Sequence, residues 1–221
     1  MRKPLFILAL LAFLSLGFLT VIQETPISPA LKNPIYFSSF IQRISGLMSF
    51  TMLFAVTILG AFIDKISKKL GGWVFNFYIF LSILTYTLVL LHPVMYLSTM
   101  YFAVGKFDPY IAFINACLLC RTPSDFHLTL GRIAFWFLSI AMFALVFRNT
   151  FSWLKTKWRK IRVLNAAAFL LAGAHGFLLG TDFQGLPFFV FAIAAYAIIL
   201  VIVVFIELPR LYKNFRSWVE N

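Results

Sequence analysis

Charge is what this sequence has least of. Asp, Glu, Lys and Arg make up 12% of its 221 residues, while 62% are hydrophobic. A soluble domain carries about 25% charged and about 45–50% apolar residues, so the composition excludes one and implies an integral membrane protein. Nucleotide fingerprints are missing too. There is no Walker loop and no G-x-G-x-x-G after a strand, so neither a nucleotide nor a flavin is indicated as bound through such a motif. If electrons move here, their donor is another protein, a reductase for instance, or a membrane quinone. Two cysteines are too few for a structural zinc site, which takes four ligands. No internal repeat and no low-complexity tract is evident. The repeats and broken helices of transporters are therefore not indicated.

The net charge of +12 does not indicate nucleic acid. The basic residues gather in short segments between apolar runs, which is the signature of membrane topology. The run over residues 5–21 follows Arg2 and Lys3 like a signal peptide, but it is long and has no convincing A-x-A site. We read it as an uncleaved first span. Residues 23–34, with Pro26, Pro29 and Pro34, form a turn-rich loop. Further spans are expected at 35–63, 73–99, 127–147, 163–180 and 188–206, each near the ~20 residues a bilayer core needs. Residues 64–72 and 148–162 are expected as basic loops, the second with Trp153 and Trp158 as interface anchors. Residues 100–126 read as an interfacial connection.

Fourteen Lys and Arg fall on one side of this arrangement: two at the N-terminus, three in 64–72, six in 148–162 and three in the tail. Lys32, Lys106 and Arg121 fall on the other. The positive-inside rule then gives an all-α bundle of six spans in the cell (inner) membrane, with both termini cytoplasmic. Residues 1–221 form a single transmembrane domain.

Two of the three histidines lie inside spans: His92 in LVLLHPVMYL and His175 in LLAGAHGFLL. An ionisable residue inside a membrane is a functional candidate by default. Each stands about seven residues from the outer end of an outward-running span, so at ~1.5 Å per residue both lie roughly 10 Å deep. Matched depth suggests a facing pair that holds one haem iron axially, although a membrane histidine also serves as a helix–helix hydrogen-bond partner. Gly173, Ala174 and Gly176 around His175 would leave room for something flat against that helix. Arg43 and Arg132 fall at similar depth as candidate haem propionate contacts, or as side chains that snorkel outward. His127 reads as a surface histidine.

At these residues the chain resembles the ferric reductase-like transmembrane family of six-span haem proteins, over roughly residues 36–206. The closest likeness is to the haem-binding membrane subunit of the bacterial periplasmic methionine-sulfoxide reductase system. The resemblance rests on LLHPVMYL, TLGRIAFWFL and WRKIRVLNAAAFLLAGAHGF. It implies a haem b electron-transfer protein that receives electrons from a cytoplasmic or quinone donor. They pass to an extracytoplasmic acceptor or reductase partner. Family members with two stacked haems carry histidines near both faces. Here the inner positions hold Arg162 and Tyr78, so the resemblance implies one outer haem, with a quinone or flavin serving near the cytoplasmic face.

Cys117 and Cys120 form C-L-L-C on the expected outer side. That spacing suits thiol–disulfide exchange, and an oxidising compartment also permits a plain local disulfide. The alternative readings are thus a membrane thiol oxidoreductase working with quinone, and a non-catalytic membrane protein. The topology is open to a direct check. Protease sites inserted within 148–162 should be cut from the cytoplasmic side, and sites within 105–121 from the opposite side.

Overall fold

The computed structural model describes residues 2–25, 27–117, 119–210 and 212. The basic tail expected beyond Arg210 lies outside these residues apart from Tyr212. Among them all regular structure is helical. The elements in order are α1 (Arg2–Glu24), α2 (Ile27–Lys32), α3 (Pro34–Leu70), α4 (Trp73–Val104), α5 (Pro109–Phe113), α6 (Pro123–Val146), α7 (Ser152–Ile161), α8 (Val163–Leu179) and α9 (Phe188–Ile202). Turns of 3-10 helix occupy Phe147–Asn149 and Thr181–Gln184, and one π-helical turn, Val203–Glu207, follows α9.

Four of the described helical stretches are long and apolar enough to cross a membrane: Pro34–Leu70, Trp73–Val104, Pro123–Asn149 and Phe188–Arg210. The pair α7 and α8, bent by 43° at Arg162, makes a fifth if counted as one span. The fold is that of an all-α membrane protein.

Local chemistry sets most of the helix ends. Asn33 caps α3 by accepting the Ile35 N–H at 2.8 Å, with Pro34 in the first turn where no N–H is needed. Thr122 caps α6 through the Asp125 N–H, and the Asp125 carboxylate takes the Thr122 hydroxyl in return. Gly71 (φ 97°) and Gly105 (φ 69°) end α3 and α4 in conformations that side chains disfavour.

Three expected boundaries shift. Helix α3 runs on through residues 64–70, the expected basic loop. Lys68 and Lys69 there suit the negative end of the helix dipole. Helix α4 continues to Val104 rather than 99, and α6 starts at Pro123 rather than 127. Within 148–162 the chain forms α7, whose Lys155, Lys157, Arg159 and Lys160 are exposed while Leu154 and Trp158 are buried. Trp158 is therefore no interface anchor: its ring packs on Phe75 at 5.9 Å, and Trp153 is the exposed one.

Helix α3 is the axis of the bundle. In its most apolar window 72% of residues are buried, against 28%, 33% and 22% in the other three long stretches. It packs most heavily on α4, while α6 packs on α8. The Phe50 ring of α3 stacks on Phe169 of α8 at 4.5 Å and meets Phe183 edge-on at 5.0 Å. Small residues bring α8 and α9 together. A Cβ on Gly173 would stand 2.5 Å from the Tyr196 ring, whose hydroxyl donates to the Leu170 carbonyl at 2.6 Å. Gly173→Ala should therefore overpack this contact and cost about 1–3 kcal/mol, read as a lowered melting temperature in detergent.

Candidate functional site

Where α3, α4, α6 and α8 converge, toward the end that carries the Cys117–Cys120 disulfide, they leave a cavity of about 460 Å³. That is within the ~300–1,000 Å³ of small-molecule sites. His92, His175, Arg43 and Arg132 all border it. So do Val89 and Pro93 of α4. Pro93 has no N–H, so the Val89 carbonyl loses its helical donor beside this space.

The structure brings the two histidines together. Their ring centres are 6.4 Å apart and their planes are nearly perpendicular, at 88°. Each is held by the same kind of bond. The Nδ1 of His92 lies 2.9 Å from the Gln42 carbonyl of α3, and the Nδ1 of His175 lies 2.9 Å from the His127 carbonyl of α6. A carbonyl can only accept, so each Nδ1 carries the proton and each Nε2 is left with a lone pair. Among the described residues neither Nε2 has a hydrogen-bond partner. His127 thus matters through its backbone, and its half-buried ring takes no part.

Two lone-pair nitrogens at this spacing suit one shared metal. An imidazole nitrogen binds a metal at about 2 Å, so two rings facing each other across one ion have centres about 6.3 Å apart, close to the 6.4 Å between His92 and His175. A bare ion would need more donors, and no group of three or more His, Cys, Asp or Glu occurs among the described residues. A haem iron takes its axial ligands from the protein, histidine imidazoles among them. The donor set fits that group.

Both arginines are engaged by groups of the chain itself. Arg43 donates through Nε to Asp182 at 2.7 Å, through Nη2 to the other Asp182 oxygen, and through Nη1 to Thr25. The carboxylate sought for Arg43 is the chain's own, so its fork is already engaged and the expected propionate contact is not needed to explain it. Asp182 is buried and ties the 3-10 turn to α3. Nothing in its sequence context beyond an acid at the depth of Arg43 would have pointed to it. Arg132 donates through Nε to the Ile111 carbonyl at 2.8 Å and through Nη1 to that of Asn115. Its Nη2 has no partner among the described residues, so Arg132 keeps one donor beside the cavity.

The room expected beside His175 is present in part. Gly176 borders the cavity together with Ala172 of the same helix, although Phe183 stands 2.5 Å from a Cβ built on it, while the space at Gly173 is filled by Tyr196 and Phe50.

Toward the opposite, basic end the packing around Tyr78 and Arg162 is tight. Tyr78, fourteen residues before His92, is fully buried against Gly60. The space beside Arg162 is about 10 Å³, bordered by Thr57, Asn165 and Glu207. It is room for one water at most. The Nε and Nη1 of Arg162 are buried there without a partner among the described residues.

Cys117 and Cys120 are joined as a disulfide, with Cα atoms 5.3 Å apart. The Cys117 N–H donates to Thr129 of α6 at 3.1 Å, which ties the loop to that helix next to the cavity-lining Leu128. Compared with known proteins, the chain matches no family model, no curated protein and no solved structure.

The Arg43–Asp182 pair gives a test of this architecture. Asp182→Ala leaves a guanidinium at the cavity without its counter-ion and should cost about 2–4 kcal/mol, somewhat below the ~3–5 kcal/mol for a buried pair because Arg43 is partly exposed. Thermal unfolding of Thr25→Ala, which removes a single bond from Arg43 to a neutral acceptor and leaves the counter-ion in place, separates the charge effect.

Proposed function

We propose that this chain is a membrane electron-transfer protein of the ferric reductase-like kind, holding one haem b between His92 and His175. Bound there, the haem supplies a one-electron Fe(III)/Fe(II) couple. The observation that carries the reading is the pair of imidazoles 6.4 Å apart on one cavity, each with Nδ1 tied to a carbonyl and Nε2 free to ligate. The carbonyl bonds orient both rings and raise their basicity as ligands. The Arg132 Nη2 is the donor suited to a propionate. Aromatic and aliphatic side chains such as Phe50, Val89 and Leu138 exclude water from the rest of the cavity.

In this reading α1, 23 residues long, is the first of six spans, both termini are cytoplasmic, and the membrane is the inner cell membrane. The disulfide end then faces outward, toward an extracytoplasmic acceptor such as a reductase partner. The tight packing at Tyr78 and Arg162, with about 10 Å³ of space beside the arginine and no histidine at either position, supports one haem rather than two. Electrons therefore arrive from a quinone or from a cytoplasmic reductase, with a flavin there as an alternative carrier.

The test is the visible spectrum of the detergent-purified protein, oxidised and then reduced with dithionite. A sharp b-type α-band at one haem per chain is expected, lost in both His92→Ala and His175→Ala. A colourless protein made with adequate haem would sink the reading.

A second reading, a thiol oxidoreductase working with quinone, draws on the Cys117–Cys120 disulfide tied to α6. The two part company in the Cys117→Ser/Cys120→Ser variant. The haem reading expects an unchanged spectrum, and the thiol reading expects loss of quinone reduction by an external dithiol.

A further inference from the structure

A helix carbonyl is a poor target for an outside donor. It already accepts the N–H four residues on, and the Cβ of that residue stands beside it. This is why the hydroxyls of Thr57, Ser82 and Thr85 reach the carbonyls of Leu53, Tyr78 and Leu81, each four residues back. The same flank is open to another helix where that residue has no Cβ.

Both histidine anchors meet this condition. The carbonyl that holds His92 belongs to Gln42, and the residue four further on is Gly46. The carbonyl that holds His175 belongs to His127, and the residue four further on is Gly131. A Cβ built on Gly46 falls 2.8 Å from the His92 Nδ1 and 3.0 Å from its Cε1. One built on Gly131 falls 2.9 Å from the His175 Nδ1, 3.0 Å from Cε1 and 3.2 Å from Cγ. Contacts below 3.0 Å to a ring require it to move, and neither ring can move while keeping its bond at 2.9 Å. The arrangement occurs twice, once between α3 and α4 and once between α6 and α8. Gly60 makes the contrast: it lies beneath the Tyr78 ring, but its Cβ would meet that ring at 3.5 Å, an ordinary contact.

We infer that Gly46 and Gly131 are the positioning residues of the two histidine ligands. By lacking a Cβ, each lets an imidazole lie on a neighbouring helix and donate Nδ1–H to the carbonyl one turn earlier. That fixes the tautomer in which Nε2 is the ligating nitrogen. The inference rests on the haem reading for what Nε2 ligates, and it adds two residues that touch neither iron nor propionate.

Three measurements test it. The apoprotein is titrated with hemin as wild type, Gly46→Ala, Gly131→Ala and Gly60→Ala. The first two variants should bind about 10–100-fold more weakly, as loss of an outer-shell partner does, and Gly60→Ala should match wild type. The midpoint potential of whatever haem is retained in the first two should shift, which a loss of packing alone would not cause. Should either variant fail to fold, the wild type decides. With three histidines in the chain, ¹⁵N-histidine NMR of the apoprotein resolves each ring. His92 and His175 should be Nδ1–H tautomers, assigned with His127→Gln, which keeps its carbonyl. Hemin affinity and potential unchanged in both alanine variants, or Nε2–H tautomers in the wild type, would overturn the inference and leave the haem reading standing. A wild type that takes up no hemin would overturn the haem reading, and the inference with it.

Discussion

The architecture turns on two helix carbonyls that accept from side chains of other helices. In hydrocarbon a backbone carbonyl normally satisfies itself within its own helix. Here those of Gln42 and His127 are also reached by imidazoles from α4 and α8. Each bond ties two helices at one level, and together the two bonds set four helices around one cavity. The close approach of α3 to α4 and of α6 to α8 follows from the glycines that expose those carbonyls. So does the pairing of two rings that lie 83 residues apart in the chain. The Arg43–Asp182 pair and the Arg132 bonds to residues 111 and 115 then close the same end of the bundle.

This geometry is a duplication of arrangement without a duplication of residues. In each half a helix offers a carbonyl and a glycine four residues later, and a second helix offers the histidine, 48 residues after the carbonyl in one case and 50 in the other. The sequence shows no repeat because the flanking residues need only be apolar and of suitable size. What must match is the backbone position of one glycine and one histidine per half. That is too little to stand out by inspection.

Much of the fold was legible because long apolar runs have one stable form in a bilayer. The histidine pair was legible for the same reason: each position in a span has a depth, so two residues in different helices can be compared without a structure. Charge misled more than hydropathy did. Residues 64–70 and 148–162 look like loops because they are basic, yet lysines are at home in the last turn of α3 and on the outer face of α7. Gly173 and Gly176 drew attention because they flank His175, but side-chain direction decides what a glycine makes room for: Gly176 borders the cavity, whereas Gly173 faces Tyr196. Gly46 and Gly131 sit on other helices, and sequence proximity could not link them to the histidines. Asp182 was invisible as a partner for the same reason.

The tight packing beneath the cavity has a consequence of its own. From His92 to Tyr78 is fourteen residues, about 21 Å of helix, and the space at the lower level is about 10 Å³. The space within the bundle is therefore lopsided, roomy at the level of the two histidines and tight at the level of Tyr78 and Arg162.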